Sequence, residues 1–124
     1  RQIDTATNQV VVSVDVGSAP GPITATTDDV WVVNVGDATV SHIDPNAGAV
    51  NATIDVGGDL TAIAATDTAV WVTSDDGTVS RIDPATQAVT TTIDVGGELT
   101  GIAATNRHVW VTARDGTVSD IDPG

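Results

Sequence analysis

Cysteine is absent from the 124-residue chain, as are lysine, methionine, phenylalanine and tyrosine. Without cysteine there is no disulfide framework, no thiolate zinc site and no thiol nucleophile. Trp31, Trp71 and Trp110 carry all the aromatic mass. Basic residues are scarce: four arginines face seventeen acidic residues, for a net charge of −13. A field of that sign repels phosphate backbones and anionic bilayers, so neither nucleic acid nor membrane is an expected partner. No apolar run approaches the roughly 20 residues of a membrane span, and no signal peptide is evident. The first residue is Arg1 rather than Met, as a processed or excised segment would have. One small domain is the most that this length accommodates.

What the chain does have is internal repetition. Residues 3–42, 43–81 and 82–120 align as three copies of 40, 39 and 39 residues. The second and third copies share 26 of 39 positions, far above chance, and the first diverges most. Each copy opens with Ile-Asp (Ile3-Asp4, Ile43-Asp44, Ile82-Asp83), and Ile121-Asp122 begins a fourth. Val-Gly pairs recur at Gly17, Gly57 and Gly96, and the three tryptophans share one offset, each flanked by valine. A fixed period of about 40 residues marks a repeat architecture.

Each copy reads as four short strands, because Val and Thr dominate and β-branched side chains fit pleated surfaces. In the third copy the expected strands are 99–105, 108–112 and 117–121, with an Asp115-Gly116 hairpin turn. Outer strands are expected at 50–56 and 89–95, alternating apolar and polar. Four strands per roughly 40 residues is the signature of a β-propeller blade. The Val-Trp-Val strand is apolar on both faces, as neighbouring blades on either side require, and the Ala-rich strand suits the crowded inner position. A β-helix competes, but its rungs are shorter and need no hairpin in every repeat. The expected fold class is all-β: three four-stranded propeller blades forming half a ring.

Three runs carry a family resemblance. Val70-Trp71-Val72-Thr73, then Asp76-Gly77-Thr78-Val79-Ser80-Arg81-Ile82-Asp83-Pro84-Ala85-Thr86, then Thr92-Ile93-Asp94-Val95-Gly96-Gly97 resemble a blade of the YVTN and virginiamycin B lyase-like propellers. The resemblance spans essentially the whole chain and implies the propeller fold. Its lyase members are similar to metal-assisted eliminases with His and acidic residues at the channel mouth. His42 and His108 occupy different repeat offsets, so no catalytic residue is carried over.

Counting strands makes a physical demand. The expected order is one outer strand, two full blades, then three strands lacking a fourth. Three blades cannot close a ring, since propellers run from about four to eight blades. An open row would expose two apolar blade faces and unpaired edges. Closure by a second chain is therefore expected: the outer strand 10–16 of one copy completes the 99–121 blade of the other. The result is a six-bladed homodimer built by strand exchange, with an obligate interface. A head-to-tail contact that fails to close gives a filament instead.

Candidate functional residues lie where the copies differ, in the hairpin loops 34–37, 74–77 and 113–116 and the loops entering the inner strand at 20–22, 58–59 and 97–98. Blade topology puts both sets around one mouth of the axial channel. Asp37, Asp59, Asp75, Asp76, Glu98 and Asp115 would make that mouth acidic, suiting a divalent cation such as calcium or magnesium, or a cationic small molecule. The competing reading is structural, because Asp before Gly is an ordinary tight-turn residue. Asp44, Asp83 and Asp122 read as turn caps on the opposite face, the tryptophans as core, and His42 as an exposed strand residue. Asn51-Ala52-Thr53 fits a glycosylation acceptor but lies in a strand.

No nucleophile elbow, phosphate loop or paired His ligands occur, so no resident cofactor and no enzyme activity are expected. A binding and interaction scaffold is the first functional expectation. A purely structural, engineered or filament-forming propeller segment comes second, and a metal-assisted lyase-like enzyme at the mouth third. The acid excess without lysine fits an extracellular or cell-surface protein, or the cytoplasm of a halophile.

Overall fold

A computed structural model of the chain describes residues 2–7, 9–26 and 28–122, with only the backbone for residues 9–12. A short N-terminal pair comes first, β1 (Gln2–Asp4) and β2 (Gln9–Val12). The first blade is β3 (Pro20–Ala25), β4 (Val30–Asn34), β5 (Thr39–Asp44) and β6 (Ala49–Asp55). The second is β7 (Leu60–Ala65), β8 (Val70–Ser74), β9 (Thr78–Asp83) and β10 (Ala88–Asp94). The third has three strands, β11 (Leu99–Ala104), β12 (Val109–Ala113) and β13 (Val118–Ile121). All pairings are antiparallel, and the described residues contain no helix.

The expected strands are present, shifted by a residue or so at their ends. The N-terminus differs. The outer strand expected over 10–16 is Gln9–Val12, and it is preceded by an additional strand, β1. The reason is the repeat itself. Ile3-Asp4 occupies the position of Ile43-Asp44, and Ile3↔Val10 and Asp4↔Gln9 copy the register Ile43↔Val50 and Asp44↔Ala49. β1 and β2 thus form the end of a third strand paired with a fourth.

Each Trp strand is sandwiched where a following blade is present. Trp31, Val33 and Val40 of the first blade pack against Leu60, Ile63, Val70 and Ile82 of the second. Trp71 and Val79 of the second pack against Leu99, Val109 and Val111 of the third. The core is therefore two inter-blade joints, not one central cluster. The third tryptophan departs from its expected core position: Trp31 and Trp71 are 1% and 2% exposed, Trp110 45%. Among the described residues, no further blade lies against that face of the third blade.

The hairpin turns show how successive blades are locked. Gly77 has φ +90°, and its carbonyl accepts from the Val95 and Gly96 N–H groups at 2.9 and 3.0 Å. A methyl group at Gly77 would meet backbone atoms of Gly96 and Gly97 at 2.8–2.9 Å. Gly116, at φ +92°, has open space at the same place. Gly77→Ala should therefore cost more than Gly116→Ala: about 2–3 kcal/mol against about 1 kcal/mol for the positive φ alone. Thermal unfolding at a concentration that keeps the chain monomeric checks this, and equal losses would show that the linker contact is unimportant.

Candidate functional site

The two loop sets expected on one face are joined there by backbone hydrogen bonds. Asp75 N–H donates to the Asp59 carbonyl and Arg114 N–H to the Glu98 carbonyl, both at 2.8 Å. Val35 N–H donates to the Ala19 carbonyl at 3.0 Å. Each linker between blades is thereby tied to the hairpin of the blade it enters.

All six carboxylates of the expected mouth are exposed. They are largely occupied with local work. Asp37 accepts from the Ser18 N–H at 2.7 Å. Asp76 accepts from the Thr78 hydroxyl at 2.7 Å and its N–H at 3.1 Å; Asp115 does the same with Thr117. Those hydroxyl bonds, reinforced by the N–H groups, hold both carboxyls below the ordinary 3.8. What they contribute to stability is complete above pH 3.8 and is lost only as the pH falls below it. Glu98 pairs with Arg114 at 3.3 Å. Among the described residues no three His, Asp or Glu side chains come close enough together to hold a metal.

The opposite face carries a contact the sequence reading missed. His42, expected on an exposed strand position, is 5% exposed. Its ring lies on Trp31 at 4.0 Å and 5° between planes. Nε2 meets Asp29, and Nδ1 meets Gln87 Oε1 at 3.0 Å, so the imidazole bridges the first blade to the second. Asp28, Asp29, Asp67 and Pro84 line a cleft of about 420 Å³ beside it. A signal was available in the repeats. Positions 29/42, 69/81 and 108/120 read Asp/His, Ala/Arg and His/Asp. The third blade shows the inverse pair, His108 Nδ1 to Asp120 at 3.1 Å, and in the second Arg81 lies 5.4 Å over Trp71. A cation or imidazole beside each tryptophan is thus built in by three different residue pairs.

The two ends of the row are the remaining features. β13 hydrogen-bonds β12 and no other described strand, so its outer edge is open. The free face of the third blade presents Trp110 and Val118, the latter 61% exposed. At the other end, the free face of the first blade and the segment through Val14 and Val16 enclose an apolar groove of about 430 Å³, with Ile23 64% exposed.

Comparison of the coordinates with solved structures shows the propeller fold. Hydrazine synthase from Kuenenia stuttgartiensis matches 86% of this chain with a TM-score of 0.80 and 22% identity. BamB from Moraxella catarrhalis matches 97% with a TM-score of 0.80 and 20% identity. The Swd1 β-propeller domain from Myceliophteria thermophila matches 87% with a TM-score of 0.76 and 10% identity. The chain spans 33%, 36% and 35% of those three chains, about a third of each. No protein-family model matches the sequence, and no curated protein matches it significantly.

Proposed function

We propose that the chain is a non-enzymatic β-propeller interaction scaffold that completes its ring by exchanging a strand with a second copy. The observation that carries this reading is a matched deficit and surplus. Among the described residues the third blade has three strands with the outer edge of β13 open, while β2 carries fourth-strand residues held in blade register by β1. In the first blade Val40 pairs with Ile54 and Ser41 with Thr53. The equivalent partners for Val118 and Ser119 are Val14 and Ser13, which belong to no strand in the single chain. Two copies would give a six-bladed ring, within the range of known propellers. The linker–hairpin face would then be its binding surface, with Asp37, Asp59, Asp75, Asp76 and Asp115 favouring a cationic ligand. The blade motif is similar to that of YVTN and virginiamycin B lyase-like repeats, used here as framework rather than for chemistry.

Sedimentation equilibrium tests the assembly. A closed pair should run at about 25 kDa, twice the 12.5 kDa of one chain. A mass of 12.5 kDa at every concentration, in molar salt as well as dilute buffer, would overturn it. β1 supplies a second expectation, because it occupies the edge of β2 that β13 would take. Ile3→Pro, at a 58% exposed position, should weaken the β1–β2 pairing and tighten dimerisation by about tenfold. Weaker association would show that β1 belongs to the assembled form.

A further inference from the structure

We infer that Trp110 of one copy seats in the apolar groove on the first blade of a second copy, forming a third joint of the kind already present twice within the chain. This deepens the strand-exchange reading and rests on it. The groove wall is Ile23, Ala25, Val30, Val32 and Ile43. The same repeat positions in the second blade are Ile63, Ala65, Val70, Val72 and Ile82, and in the third Ile102, Ala104, Val109, Val111 and Ile121. Every residue type is the same at all three.

The opposing faces repeat as closely. Trp71, Thr73 and Val79 have their counterparts in Trp110, Thr112 and Val118. The joint between the second and third blades buries Trp71 and Val79 against Val109 and Val111, with Ile102, Ala104 and Ile121 packed around them. The chain's two free ends therefore carry both halves of a joint whose geometry its interior already realises. The surroundings agree too. Ile93 and Val95 flank the joint around Trp71, and their repeat counterparts Val14 and Val16 flank the groove.

One hydrogen bond sets the register. Val56 N–H donates to the Ala38 carbonyl at 3.2 Å, and Val95 N–H to the Gly77 carbonyl at 2.9 Å. The counterpart carbonyl, Gly116, receives no such donor among the described residues. In the joined pair the Val16 N–H of the second copy would supply it. Such a contact is head-to-tail: each copy offers a different face at each joint.

Two variants of the full chain separate this inference from the strand-exchange reading. Trp110→Asp and Ile23→Asp each place a carboxylate in one half of the joint, and both positions are exposed in the single chain. Each alone should raise the dissociation constant at least about a hundredfold, as loss of a central aromatic anchor does. Each should keep the circular dichroism and monomer melting point of the wild type. An equimolar mixture, at millimolar concentration and 1 M salt, should recover a 25 kDa species through the one intact joint. If the wild type assembles and Trp110→Asp assembles equally well, the seat is overturned while strand exchange stands. Monomeric variants that stay monomeric when mixed would also overturn it, since the joint would then use the same face twice. A wild type that never leaves 12.5 kDa overturns the underlying reading as well.

Discussion

Trp71→Ala is expected to cost about 3–5 kcal/mol of the single chain's stability, a large share of what a domain of this size has. The indole is 2% exposed and fills the joint between the second and third blades. Its removal leaves a cavity that rigid sheets on both sides cannot collapse into. It also removes the ring under Arg81, a contact worth up to about 1 kcal/mol at a partly exposed site. Because the blades touch mainly their sequence neighbours, the loss should be felt locally. The third blade should unfold at lower urea than the first two, as an early step in the transition. The informative control is Trp110→Ala in conditions where the wild type is monomeric. Trp110 is 45% exposed, so truncating it should cost under about 1 kcal/mol. Equal losses from the two substitutions would mean that the blade joint is not where the stability resides.

Association of the proposed pair is expected to tighten at least about a hundredfold between 0.01 M and 1 M sodium chloride. Each copy carries a net charge of −13, so a pair must bring two strongly acidic bodies into contact. One pair of like charges about 20 Å apart costs only ~0.2 kcal/mol in water, but the cost is summed over every pair. At 0.01 M the Debye length is about 30 Å and most of that repulsion acts; at 1 M it is about 3 Å and almost none does. The apolar joint itself is little affected, since the blade faces carry few charges. Sedimentation across a salt series measures this. An unchanged dissociation constant would show that the carboxylates lie too far from the joint to oppose it. The same series bears on setting, because a protein whose assembly needs high ionic strength suits a salt-rich medium.

Much of the architecture was legible in the sequence because a blade is a local object. Its four strands are consecutive, its turns carry their own residue signals, and its strand faces follow the alternation of Val and Thr. The Asp76-Gly77 and Asp115-Gly116 turns lie where their dipeptides place them, and their carboxylates serve those turns. His42 is the opposite case. Its burial depends on Gln87, forty-five residues away on the next blade, and on Asp29 across the strand pair. Neither is visible from strand periodicity. The acidic mouth likewise looked like one cluster in sequence, whereas in space Glu98 turns to Arg114 and Asp37 to the Ser18 amide.

The sequence by itself determined the repeat, the four-strand blade and the Trp position. Each of these follows from contacts between residues close in the chain or from spacing repeated three times. Only the tertiary structure decided that Trp110 is exposed while Trp31 and Trp71 are not, that β1 pairs with β2, and that an apolar groove is open on the first blade. The three tryptophans are chemically identical and identically placed within their blades. What separates them is whether another blade lies against them, and burial, unlike strand formation, is a property of the neighbour.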